Sequence, residues 1–232
     1  MRLHTFFVAE KIGEKNDISI TDAGLAHQLK KVFRFKEGQE IVLFDNSGRE
    51  YVSEISSLTT EAVGVRIKSA REHTFHPRRE VTLIQSIVKK DTFEWIVQKS
   101  TELGVSTVVP VIAERSEKKS LNLDRLVVIA KEACEQSGRS VLPTIQTPVS
   151  LLDAISLVST KVIAFHSGGE TFDVEAREAL PKAVSILIGP EGGWSDHELF
   201  LFREKGIAIF SLGSQTLRAE TAAVVVSAIL LL

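Results

Sequence analysis

Two glycine-bearing loops and one polar helical segment hold most of the side chains in this 232-residue chain whose types and spacing could do chemistry. The first loop is Ile188-Gly189-Pro190-Glu191-Gly192-Gly193-Trp194-Ser195, after an apolar run and before a Ser195/Glu198 pair spaced as a helix-capping box. Glycines there let the backbone approach and hydrogen-bond a ligand. Strand ends are where open α/β sheets bind ligands. A plain strand-to-helix turn would not need so many special residues. The run is neither G-x-G-x-x-G nor a P-loop, which disfavours a nicotinamide dinucleotide or a triphosphate. The second loop is Leu212-Gly213-Ser214-Gln215-Thr216-Leu217-Arg218-Ala219-Glu220-Thr221-Ala222. It suits a flat ligand, with backbone amides around it and Leu212 and Leu217 on its apolar faces. Arg218 and Glu220 serve either helix capping and solvation or catalysis. In the third segment, Glu132, Gln136 and Arg139 sit at i, i+4 and i+7 and are expected on one helical face. Such a face is ordinarily just solvated, yet Gln and Arg also suit a base edge and a phosphate. Cys134 reads as a small buried residue, since no partner base accompanies it.

These residues need elements to position them. Strands are expected at Arg2–Ala9, Glu40–Asp45, Glu50–Ser57 and Ala62–Ala70, with a turn at Asn46-Ser47-Gly48. Thr21 is expected to cap a helix through Leu25, Leu29 and Val32. Several short strands and one helix suggest a small barrel. The polar, basic segment Arg71–Glu80 is the best linker. Beyond it, strands at Val81–Val88, Thr107–Ala113, Lys161–Phe165, Val184–Ile188 and Ile207–Leu212 alternate with helices at Asp91–Leu103, Leu123–Gly138, after Ser195, and from Arg218 onward. Alternation predicts an α/β domain whose short apolar strands are buried in a parallel sheet.

Composition bounds the function. The chain is 44% hydrophobic and 25% charged with a net charge of -2, which excludes an indiscriminate nucleic-acid coat. The charge is uneven. Residues 1–72 hold 11 basic and 11 acidic side chains, residues 73–139 hold 11 and 9, and residues 140–232 hold 6 and 10. One cysteine excludes an intramolecular disulfide framework and a multi-cysteine zinc site. No metal is expected, because His73 and His76, flanking Phe75, lack clustered acidic or cysteine partners. The segment MRLHTFFVAEK lacks a signal-peptide core, and Ala222–Leu232 is too short to span a bilayer, so a cytoplasmic protein with no membrane partner is expected.

GPEGGW, LGSQTLRAETAA and EACEQSGR closely resemble the RsmE family, SPOUT-class methyltransferases acting on N3 of a uridine in small-subunit ribosomal RNA. Trp95–Gly104 resembles that family's first α/β helix. His27–Arg34, with Gly38 and Leu43-Phe44-Asp45, resembles its barrel domain. The match spans nearly the whole chain, with departures at Phe33 and at Ser214-Gln215-Thr216 in the second loop. The resemblance implies a PUA-like β-barrel RNA-binding domain over residues 1–72. It implies a SPOUT α/β domain with a deep C-terminal trefoil knot over residues 73–232. It also implies a homodimer acting on small-subunit ribosomal RNA within an assembled subunit. S-adenosylmethionine would be held by Phe165, His166, Leu187, Gly189, Pro190, Glu191, Gly192, Gly193, Leu212, Gly213, Leu217, Arg218 and Thr221. His166 would contribute backbone contacts rather than catalysis.

The implied reaction is an in-line methyl transfer that needs orientation and the loss of one proton. Arg139 or Arg218 would stabilise the uridine anion, and Glu132 or Glu220 would accept the proton, with Gln136 on the substrate side. RNA contacts are expected from Arg34, Lys36, Arg78, Arg79, Lys89 and Arg115, with Lys90, Lys118, Lys119 and the histidines flanking Phe75 as further candidates. Two other readings share the fold: a non-catalytic RNA-binding or ribosome-assembly protein, and a SPOUT methyltransferase acting on another RNA.

Overall fold

The computed structural model describes residues 3–74, 77–117 and 120–232. The chain divides into two compact units: Met1–His76 with Cys134–Leu142, and Pro77–Ala133 with Pro143–Leu232.

In the first unit, β1 (Thr5–Phe7), β2 (Asp17–Thr21), β3 (Glu40–Phe44), β4 (Arg49–Leu58) and β5 (Ala62–Glu72) form one sheet in the order β1-β3-β4-β5-β2. Among its described residues only β1 and β3 pair in parallel. Register shifts at Val52/Ser53 and Ile55/Ser57 mark bulges in the β4–β5 ladder, where a sheet bends. The expected turn between β3 and β4 is present, with Asn46 and Gly48 both at positive φ. The sheet and α1 (Ala23–His27) enclose one core containing Phe6, Ile20, Leu25, Leu29, Leu43, Tyr51 and Val65.

Three expectations change here. The first strand shortens to Thr5–Phe7, and Arg2 lies outside the described residues. Thr21 ends β2, a strand not expected, and Asp22 caps α1 instead, its Oδ1 accepting the Leu25 N–H at 3.0 Å. The helix then widens into a π-helical turn over Gln28–Val32. Leu25 and Leu29 stay fully buried, but the wider turn rotates Val32 off the apolar stripe, leaving it 62% exposed.

The second unit is α/β. Its strands are β6 (Glu80–Ser86), β7 (Thr107–Ile112), β8 (Thr144–Ile145), β9 (Val149–Ser150), β10 (Lys161–Thr171), β11 (Ala183–Ile188) and β12 (Ala208–Ser211). Their order is β12-β10-β11-β6-β7-β8, with β9 also on β7, and every pairing is parallel. The helices are α2 (Lys90–Leu103), α3 (Leu123–Ser137), α4 (Leu151–Leu157), α5 (Val174–Glu178), α6 (Asp196–Glu204) and α7 (Ala219–Leu231). Beyond its Ala133, α3 is counted with the first unit. Alternation along β6 and β11 sends side chains to two cores. Leu83 and Ile186 meet Phe93, Val97 and Leu230 of α2 and α7, while Ile84 and Leu187 meet Ala154, Trp194 and Phe202.

Gly104, at φ +105, ends α2, and the Ser195/Glu198 capping box opens α6. Helices α4 and α5 were not expected. The strand expected to end at Phe165 runs on to Thr171: after a register shift, Glu170 and Thr171 pair with Phe210 and Ser211 of β12. Among the described residues no helix is long and apolar enough to cross a membrane.

Candidate functional site

Strands β10, β11 and β12 of the second unit run side by side, and the middle of β10 and the loops after β11 and β12 line a cavity of about 690 Å³. Phe165 and His166 line it from β10, Gly189 to Gly193 from the loop after β11, and Leu212, Gly213, Leu217 and Arg218 from the loop after β12. Glu220, at the start of α7, joins them. The expected glycine loops therefore converge at the C-terminal edge of one parallel sheet, where such sheets hold ligands.

The glycine positions have specific causes. A Cβ on Gly189 would lie 3.2 Å from the Trp194 ring, and one on Gly192 would lie 3.3 Å from Cβ of Arg115. Gly193, at φ +67, sits in the left-handed region that side chains disfavour. Trp194, 2% exposed, packs edge-on against Phe202, and its indole N–H donates to the Phe165 carbonyl at 3.1 Å. That bond ties the loop after β11 to β10. Arg115 fastens the same loop, its guanidinium donating to the Gly192 and Trp194 carbonyls at 3.0 and 3.2 Å. Glu191 accepts the Lys89 backbone N–H. His166 turns its Nδ1 back onto the Gly168 N–H at 3.0 Å.

Two expected cofactor residues lie off the cavity. Leu187 is fully buried, because strand alternation points it into the core under Trp194 and gives the lining position to Ile188. Thr221 is exposed on α7, where helical spacing brings Ala219 and Ala222 to the lining instead. The reading from sequence also missed Thr92 in the first turn of α2 and the structural role of Trp194, although Trp194 stands in the quoted motif.

Arg218 and Glu220 are the two catalytic candidates that line the cavity. Their charged groups lie 3.9 Å apart, with Glu220 mostly covered and Arg218 exposed. Glu132, in the same unit, does not line it, and Gln136 and Arg139 belong to the first unit. Their shared helical face is also corrected. Helix α3 stops at Ser137, Gly138 at φ +82 turns the chain, and Arg139 donates its N–H back to the Cys134 carbonyl. Glu132 and Gln136 are exposed, whereas Arg139 is half-buried and burial lowers its guanidinium pKa. Burial pushes the Cys134 thiol up to about 12, which removes it as a nucleophile at neutral pH.

The RNA candidates separate as well. Arg34 and Lys36 are exposed in the first unit. Arg78 pairs with Glu178 at 3.5 Å, and buried Arg79 donates to the Arg177 carbonyl at 2.8 Å, so Arg79 holds the fold rather than facing a phosphate. Lys89 and Arg115 line the cavity, and Lys90 lies 3.7 Å from Glu94. His73 is held 2.8 Å from Glu50. Phe75, His76, Lys118 and Lys119 lie outside the described residues. Among the described residues no group of three or more His, Cys, Asp or Glu is placed to hold a metal.

Comparison with known proteins shows the family. Residues 76–231 match the RNA methyltransferase domain family, and residues 20–68 match the RNA methyltransferase PUA domain family. The Aquifex aeolicus ribosomal RNA small subunit methyltransferase E is 33% identical over 99% of both chains. A Legionella pneumophila methyltransferase solved with bound SAM superposes at TM-score 0.89, with 28% identity over 99% of this chain and 97% of the other. The Neisseria gonorrhoeae ribosomal RNA small subunit methyltransferase E, bound to S-adenosyl methionine, also superposes at 0.89, with 26% identity over 98% and 96%. A PUA-type unit followed by an α/β unit with this cavity, matched along nearly its full length, belongs to the ribosomal RNA small subunit methyltransferase E family.

Proposed function

We propose that this chain is an S-adenosylmethionine-dependent enzyme that methylates N3 of a specific uridine in small-subunit, 16S-type ribosomal RNA. The observation that carries the reading is the 690 Å³ cavity where two loops and strand β10 of one parallel sheet converge. Family membership and the SAM-bound neighbours support it.

The cavity fits the cofactor. Gly189, Gly192 and Gly193 line it and have no side chains, so there the loop offers its backbone. Phe165, Ile188, Leu212 and Leu217 offer apolar surface to a flat ring. When bound, S-adenosylmethionine supplies an electrophilic methyl group on a sulfonium sulfur, so the protein needs no covalent intermediate. What remains for its side chains is orientation of the two reactants and handling of one proton. N3–H of uridine is weakly acidic and is lost before or during attack. Glu220 accepts that proton, directly or through water, and Arg218 stabilises negative charge developing on the uridine oxygens. Their presence on the lining, 3.9 Å apart, supports this pair for the proton step.

The reading extends to a PUA-like β-barrel over residues 1–72 and a methyltransferase domain over residues 73–232 with a C-terminal trefoil knot. The strand order supports the knot: β12 pairs beyond β10, so the chain crosses β10 after leaving β11. Val127 and Val128, exposed on α3, support a homodimer. The substrate is ribosomal RNA within an assembled subunit, and the compartment is the cytoplasm.

Incubation with labelled S-adenosylmethionine and small subunits lacking the modification should yield N3-methyluridine. Absence of label in that RNA would sink the proposal.

A further inference from the structure

The first unit holds a second, smaller cavity of about 280 Å³. His4, just before β1, stands on its rim, with its ring centroid 4.7 Å from that of Phe33 and 5.7 Å from that of Phe35. Phe33 lies edge-on to buried Phe6 at 5.4 Å, which fixes the ring in place. Exposed His4 and half-buried Phe33 thus present a ring wall to an open pocket.

The opposite side is polar. Glu135, 8% exposed, accepts the Phe7 N–H and the Gln28 side-chain amide, each at 3.1 Å. This orients Gln28 with its nitrogen toward Glu135 and leaves its carbonyl oxygen as an acceptor. Gln136, exposed at the end of α3, lines the same pocket with a second amide. Proteins recognise unpaired RNA bases by aromatic or imidazole rings that stack and amides that meet the base edge.

The surrounding charge points the same way. Lys31, Arg34 and Lys36 flank Phe33 and Phe35 in sequence, are exposed, and have no ion-pair partner among the described residues. By contrast, every cation of β4 and β5 (Arg49, Arg66, Lys68 and Arg71) is neutralised by a carboxylate. Unpaired cations beside an aromatic pocket suit a chain of phosphates carrying a base. At about 280 Å³ the cavity is just below the usual span of ligand pockets, about 300 to 1,000 Å³. One ring system suits it, and a whole cofactor does not.

We propose that this cavity is a base-binding subsite. One unpaired base of the substrate RNA stacks on His4 and Phe33, Gln28 and Gln136 hydrogen-bond to its edge, and Lys31, Arg34 and Lys36 hold the flanking phosphates. The proposal deepens the reading of the chain as an RNA-modifying enzyme and rests on it.

The test uses the full-length protein and two variants. His4→Ala removes an exposed ring, and Phe33→Leu keeps apolar volume against the core while removing the stacking face. Affinity for a short fluorescein-labelled single-stranded RNA, followed by anisotropy, should fall roughly tenfold in each. KM for small subunits should rise by a similar factor, with kcat and S-adenosylmethionine affinity unchanged. Variants that bind RNA and methylate subunits like the wild type would overturn the subsite and leave the methyltransferase reading standing. So would a fully paired duplex that binds as tightly as the single strand. A wild-type protein that labels no subunit RNA, yet loses single-strand affinity through His4→Ala and Phe33→Leu, would overturn the methyltransferase reading and keep the subsite.

Discussion

Trp194→Phe tests whether the cofactor cavity is held by the indole tie between the loop after β11 and strand β10. The wild-type N–H donates to the Phe165 carbonyl at 3.1 Å in a buried setting, and the ring stands edge-on to Phe202 with centroids 5.1 Å apart. Phenylalanine keeps the aromatic packing but loses the donor. Removing one partner of a buried hydrogen bond costs about 1–2 kcal/mol. The smaller ring leaves a void of roughly 40 Å³, which at ~24 cal/mol per Å³ adds about 1 kcal/mol. The sum of about 2–3 kcal/mol corresponds to a fall in Tm of roughly 4–12 °C for a chain of this size. Because the bond joins the loop after β11 to β10, about 1 kcal/mol of that loss should reach the cofactor, raising its Kd about fivefold. Differential scanning calorimetry measures the first effect and titration calorimetry with S-adenosylmethionine the second. Phe202→Leu is the control, since it weakens the same core and leaves the indole bond in place. It should lower Tm and leave cofactor affinity unchanged. A Trp194→Phe protein with wild-type Tm and wild-type affinity would refute the tie. So would equal affinity losses in both variants.

Three further outcomes follow from other parts of the molecule. Gly169→Ala places a Cβ 2.6 Å from the Ile209 carbonyl oxygen, a backbone atom that cannot swing aside, so it should part β10 from β12 and cost over about 3 kcal/mol; a near-wild-type urea midpoint would contradict this. The Cys134 thiol, pushed by burial to about 12 from an ordinary 9.0, should resist a thiol reagent at pH 8 until the protein is unfolded. Its raised native pKa also means that the stability it contributes is full below pH 9 and is lost as pH rises toward 12, so Cys134→Ser should flatten that part of the urea-midpoint profile. Arg139→Ala should lower RNA methylation by roughly tenfold or more with near-normal S-adenosylmethionine affinity, and an equal loss of cofactor affinity would remove Arg139 from the substrate side.

What the sequence discloses about this protein follows the range of the forces involved. The capping box at Ser195 and Glu198, the end of α2 at Leu103 and the buried strands β6, β7 and β11 are set by neighbours within a few residues, and they read correctly. The glycine loops are legible by residue type, although the neighbour that a Cβ on Gly192 would meet, Arg115, is 77 residues away. Leu187 needed only strand alternation, which gives the lining position to Ile188, and Thr221 the helical spacing that brings Ala219 and Ala222 round. Val32 failed because the π-helical turn breaks the period that the reading assumed. Arg139 failed because i+7 arithmetic was carried through Gly138, the residue type that most often ends a helix.

The polar residues are the harder case. Arg79 looks like a linker cation until its partner, the Arg177 carbonyl 98 residues away, is known. Glu135 lies between two residues that spacing singled out, Glu132 and Gln136, and spacing passes over it. It is nonetheless the buried one, because its partners Phe7 and Gln28 are 128 and 107 residues distant. Burying a carboxylate without such partners would cost more than a surface position, so its burial follows from those two donors. Helical periodicity can say which residues share a face, but not which face a distant donor will meet. That is why the polar wall of the smaller cavity emerged only from the folded chain.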